Sequence, residues 1–141
     1  MKENKYQQLF DMFGKARQVL KYPKIKFTIN DGKDKVQLYL ATKGYIAVKV
    51  NGTYCGKIMP DDRLLRIYPP FQDTISEINA FCIEPLAQSK IYGQRYSNCC
   101  FCGLELTNRA SLQMGYGPIC ADKYGLPWYA TEQKDEPLID L

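Results

Sequence analysis

The chain has 141 residues, 45% of them hydrophobic, and a net charge of +4. That length and composition fit one domain with a real core, or one domain with an appended module. It contains no histidine, which excludes Ser-His and Cys-His nucleophile pairs, H-E-x-x-H zinc sites and histidine acid–base chemistry.

No apolar run approaches the ~18 residues of a membrane span, and nothing resembles a signal peptide. Six cysteines in such a chain fit a reducing cytoplasm with a metal site better than a disulfide framework. The expectation is a cytoplasmic protein that is not an enzyme and has no membrane partner. Charge is uneven. Residues 1–49 carry eleven Lys/Arg against four Asp/Glu, residues 50–98 five against five, and residues 99–141 three against six. The basic end can attract phosphate.

An amphipathic helix is expected from Asn4 to Leu20, because Tyr6, Leu9, Phe10, Phe13, Ala16 and Leu20 recur at helical spacing. Pro23 forbids its continuation. A five-strand antiparallel meander follows. Ile25, Phe27 and Ile29 alternate with lysine and threonine; Val36, Leu38 and Leu40 form a second strand; Ile46, Val48 and Val50 form a third. Asn51-Gly52 is the strongest hairpin signal, since a type I′ turn needs positive φ at both central residues. Tyr54 to Met59 and Arg63 to Tyr68 are the expected fourth and fifth strands. Asp61-Asp62 falls in the turn between them and reads as structural.

Alternation gives one buried and one wet face. By parity the wet face presents Lys24, Lys26, Lys35, Tyr39, Tyr45 and Lys49. Lysines neutralise phosphates and tyrosine rings stack on bases, so this face is the candidate nucleic-acid platform; an ordinary solvated sheet face has the same composition.

Beyond Pro69-Pro70 the pattern turns helical. Thr74-x-x-Glu77 reads as a capping box. Pro85 is expected to end one helix and open another, which would run Leu86 to Tyr92 and stop at Gly93. Cys82 lies on the apolar stripe and reads as core.

The chemistry is concentrated in the last third. Cys99-x-x-Cys102-Gly103 forms a tight turn aiming two sulfurs at one point, and Gly117-Pro118-Ile119-Cys120 brings a third. This is metal-thiolate geometry, and zinc takes four such ligands tetrahedrally. The spacing nearly fits the zinc-ribbon pattern but ends on Lys123. The fourth ligand is Cys100, Cys82, Cys55, an oxygen such as Asp122, or water. A redox C-x-x-C expects a βαβ context and leaves Cys120 unexplained. Leu104 to Leu106 reads as a short strand, Thr107 or Asn108 as the cap of a helix carrying Ala110 to Met114, and Cys120 as the start of a helix ending at Gly125. Trp128 and Tyr129 are expected to dock this module on the meander.

The stretch resembles an uncharacterised cysteine-containing domain family of bacterial and phage proteins. The resemblance rests on Cys99, Cys102, Gly103, Leu106, Thr107, Ser111, Gly115, Gly117, Pro118, Cys120 and the run Tyr124 to Trp128. It implies a small zinc-binding module with no assigned activity. That family commonly has arginine after the C-x-x-C-G turn, where this chain has Leu104.

The reading is therefore an α+β protein: residues 1–94 as a helix, β-meander and helical domain, 95–130 as a treble-clef-like or ribbon-like zinc module, and 131–141 as an acidic and then apolar tail. Structural zinc and nucleic acid are the expected cofactor and partner. The rival is a protein–protein interaction module, such as a phage inhibitor of a host or defence enzyme.

Overall fold

The computed structural model describes residues 5–60, 66–69 and 71–128. The tail, Tyr129 and Asp61-Asp62 lie outside the described residues. The fold is α+β. Helix α1 (Gln7–Arg17) leads into β1 (Lys24–Ile29), β2 (Asp34–Leu40), β3 (Ile46–Val50), β4 (Thr53–Ile58) and β5 (Arg66–Ile67). These five strands form one antiparallel meander in sequence order. Four further helices follow: α2 (Ile75–Ile83), α3 (Pro85–Tyr96), α4 (Arg109–Met114) and α5 (Pro118–Tyr124).

The sheet buries one face. Ile25, Phe27, Ile29, Val36, Leu38, Ile46, Val48 and Val50 are all closed from solvent. The helices supply the opposing layer. Phe81 of α2 stacks flat on Phe27 of β1 at 3.9 Å between ring centroids, and Leu9, Met12, Phe13 and Ala16 of α1 are buried. The Tyr6 hydroxyl donates to Asn79 Oδ1 at 2.6 Å and ties α1 to α2. Burial of side chains of this size is worth about 1.5–3 kcal/mol each, which makes this layer the anchor for the cysteine-bearing segments at the end of the chain. The Asn51-Gly52 hairpin forms as expected, with φ of +51° and +85°.

Several local expectations are corrected. The first helix is shorter than Asn4 to Leu20; after Arg17 the chain loosens into a turn in which the Leu20 N–H still donates to the Ala16 carbonyl. The Thr74/Glu77 capping box does not form. A short 3-10 turn, Gln72–Thr74, precedes α2, so the Thr74 hydroxyl donates back to the Phe71 carbonyl. Glu77 instead accepts the Asn30 N–H. Gly93 does not end its helix: α3 continues to Tyr96 and terminates at Ser97, whose φ is +59°. The expected strand at Leu104 to Leu106 is a single bridge between Asn98 and Glu105.

Helix α3 runs continuously through residues 94 and 95, and the buried residues on both sides of that point form one hydrophobic cluster. Pro85 does separate two helices, and Cys82 is fully buried core. Among the described residues no helix is long and apolar enough to cross a membrane.

Candidate metal centre and the open sheet face

The cysteine centre is assembled from two pieces of chain. The first is the knuckle Cys99 to Gly103, closed by the Gly103 N–H donating to the Cys99 carbonyl at 2.7 Å. Gly103 has φ +78°, the left-handed conformation that lets the turn fold back under its own sulfurs. The second is the first turn of α5, which carries Cys120. Helix α4 positions it. The Asn108 side chain caps α4 by accepting the Ser111 N–H at 2.8 Å. Gly115 then ends α4 with φ +87° and sends the chain into the Gly117-Pro118 start of α5.

The Sγ atoms of Cys99, Cys102 and Cys120 all lie within 4.8 Å of one another. Sulfurs around a tetrahedral zinc sit about 3.8 Å apart, as Zn–S bonds of about 2.3 Å require. The three can therefore close on one ion with only a small contraction.

Their electrostatics point the same way. Cys99 is held down to about 6, chiefly by a hydrogen bond from Cys120, against its own burial and with help from the backbone N–H groups of Phe101, Gly117 and Cys102. Cys120, as the donor to Cys99, is raised, and Cys102 is raised by partial burial. Backbone donors aimed at a sulfur stabilise negative charge there. Three soft sulfurs with such support can hold a metal ion.

The expected fourth ligands are not brought into this cluster. Cys100 follows Cys99 but turns into the core, where burial drives its pKa well up and Ser89 is its hydrogen-bonding neighbour. Asp122 is exposed one turn along α5. Cys55 and Cys82 are buried elsewhere, and burial raises both. Among the described residues the candidate metal position has three protein donors.

The module is held on the edge of β1. The Lys26 N–H donates to the Cys100 carbonyl at 2.7 Å. The Tyr124 hydroxyl donates to the Lys24 carbonyl at 2.9 Å and faces the Lys24 N–H at 3.2 Å. Trp128 is partly buried against the hydrophobic core. Its ring lies 6.4 Å from that of Tyr116 within the module.

The other expected site is the sheet face turned away from the helices. Lys24, Lys26 and Lys35 are exposed on it, while Tyr39, Tyr45 and Lys49 are half-buried. The partial burial has a cause: Lys49 Nζ lies 5.3 Å from the centre of the Tyr39 ring. Residues missed by parity extend the face. A register shift between Val48 and Lys49 sets Tyr54 opposite Lys49 and Lys57 opposite Ala47. Lys57 then stands over Tyr45 at 4.8 Å. Tyr54, 42% exposed, has its hydroxyl pKa raised by partial burial and by nearby Tyr68, Tyr45 and Tyr39. Five lysines and three tyrosines thus share this face, with no carboxylate at its described strand positions. The signal that could have found Lys57 and Tyr54 is the bulge, and sequence alternation does not show it.

Over residues 91–125, about a quarter of the chain, the sequence is similar to a family of unknown function, DUF6011. That segment runs from the second half of α3 through the knuckle and α4 to the end of α5. No curated protein and no solved structure matches the chain.

Proposed function

We propose that this protein binds single-stranded nucleic acid on the open face of its sheet, and that zinc on Cys99, Cys102 and Cys120 holds the module that braces the edge of that sheet. The observation that carries the reading is the face itself: Lys24, Lys26, Lys35, Lys49 and Lys57 interleaved with Tyr39, Tyr45 and Tyr54, open and without a carboxylate. Ammonium groups track a phosphate backbone, and the rings offer sequence-tolerant stacking worth about 1–3 kcal/mol per base. Zinc is favoured over harder ions by an all-sulfur donor set. Its fourth position is left to water or to a donor beyond the described residues. In this reading the protein is a binding protein rather than an enzyme.

The test is fluorescence anisotropy of labelled dT12 and a matched duplex with the zinc-loaded protein across a salt series. Counterion release predicts an affinity that falls linearly with salt on logarithmic axes. Tyr39→Ala should weaken dT12 binding by roughly 5- to 100-fold, the range set by one lost stack. No binding of wild type at low salt overturns the reading and hands the face to a protein partner.

A further inference from the structure

Two clefts flank the cysteine knuckle. The larger, about 660 Å³, lies between the sheet face and the module, with Lys26, Lys35 and Gln37 on one wall and Asn98, Cys99 and Gly103 on the other. The smaller, about 260 Å³, lies on the far side of the knuckle, against Tyr22, Lys24 and Cys102. Lys26 and Gly103 line both. We infer that the two clefts are one trough that seats a phosphodiester segment of a single strand, with a phosphate held by Lys26, Lys35 and Thr28. This rests on the nucleic-acid reading above and deepens it: the strand does not only cross the sheet but turns along the metal module.

Among the described residues none of Lys24, Lys26 and Lys35 is paired with a carboxylate. Thr28 adds donors of a different kind. Along β1 the edge-facing backbone groups belong to alternate residues. Lys24 is closed by Tyr124, Lys26 by the Cys100 carbonyl, and Asn30 by Glu77. The same alternation turns the N–H of Thr28 outward, at the place where it lines the larger cleft. Its hydroxyl oxygen is buried without a hydrogen-bond partner.

A hydroxyl, an outward N–H and two ammonium groups are all donors, and a phosphate is all acceptor. From Lys24 to Thr28 the strand runs about 13 Å, too long for one phosphate and suited to a chain of them. Tyr22, 72% exposed at the end of the smaller cleft, gives a departing base a surface to stack on.

The experiment is dT12 titration of zinc-loaded Thr28→Val, Lys26→Ala and Tyr39→Ala, each with its urea unfolding curve. Valine keeps the shape of threonine and removes only the hydroxyl. If that hydroxyl serves a phosphate, Thr28→Val loses about 10-fold or more in affinity while remaining as stable as wild type or gaining stability. Lys26→Ala should flatten the salt slope by about 1. If both variants bind like wild type while Tyr39→Ala does not, the strand stays on the sheet and the trough is overturned, with the sheet reading intact. If wild type itself binds no dT12 at low salt, both fall together.

Discussion

Gly93→Ala is the substitution whose sign the structure decides most sharply. Gly93 sits inside α3, where alanine is ordinarily better than glycine by about 1 kcal/mol. A Cβ at this position would stand 2.1 Å from the Gly115 carbonyl oxygen and 2.6 Å from the Gly115 carbonyl carbon and Cα. These are backbone atoms, so no side chain can rotate away; the α3–α4 crossing has to open by roughly an ångström. Overpacking costs about 1–3 kcal/mol where neighbours can yield, and the upper end applies here. Subtracting the helix gain leaves a net loss of about 2 kcal/mol, or a Tm lower by roughly 6–10 °C. Gly14→Ala is the control: Gly14 lies in α1 with nothing within 4 Å of its Cβ position, and the same change should add about 1 kcal/mol. Urea unfolding followed by Trp128 fluorescence and far-ultraviolet dichroism gives both values. Because α4 leads through Gly115 to Cys120, Gly93→Ala should also weaken zinc binding. A Gly93→Ala protein as stable as wild type would refute the close crossing.

Zinc at 1,000 times its Kd should add about 4 kcal/mol, so chelation should lower Tm by roughly 12–20 °C and change the near-ultraviolet dichroism of Trp128; metal loss with an unchanged signal would sever the module's fold from the ion. Asn108→Ala removes the cap of α4 and should cost about 1 kcal/mol, read by the same urea curves. Stability should fall in alkali. Cys55 is raised by burial to about 11, and Cys82 and Tyr124 are raised as well. A raised group lends stability that is complete below its unfolded value, near 8.5 for cysteine, and is lost as pH climbs through the folded value. Each such group adds a slope of about 1.4 kcal/mol per pH unit in that window. Cys82→Ala should reduce the alkaline slope by one proton, and an unchanged slope would contradict its burial as a thiol.

The sheet was legible because alternation is clean in its first three strands and Asn51-Gly52 strongly favours a hairpin turn. The cysteine cluster was legible because Cys-x-x-Cys-Gly and Gly-Pro-Ile-Cys each carry their own turn chemistry. Features that escaped depend on contacts distant in sequence. A glycine at a helix end and a glycine beneath another backbone look alike in sequence, so Gly93 read as a stop. Thr74 and Glu77 have the spacing of a capping box, but Phe71 and Asn30 compete for them and win. The face assignment of Tyr54 and Lys57 turns on one bulge, which shifts parity without leaving a residue signature. The fourth ligand failed for a similar reason: Cys100 is adjacent to a ligand in sequence, and for that reason its side chain leaves on the opposite side of the knuckle.

The cysteine cluster and the sheet meet at the edge of β1. An open β-strand edge invites pairing with other chains, and proteins usually cover it. Here the edge is covered at Lys24 and Lys26 by Tyr124 and the Cys100 carbonyl. Tyr124 lies one turn beyond Cys120 in α5, and Cys100 lies inside the knuckle, so both covering groups are held by the elements that supply the three sulfurs. Loosening the centre would therefore uncover the edge and disperse the wall of the larger cleft together. In the proposed reading metal loading and strand binding are linked, and linkage is reciprocal: a strand that favours the loaded form must raise the affinity for the ion by the same factor. At equilibrium, less zinc should pass to a chromogenic chelator in the presence of saturating dT12. Equal transfer with and without the strand would mean that the knuckle braces the sheet but takes no part in what the sheet holds.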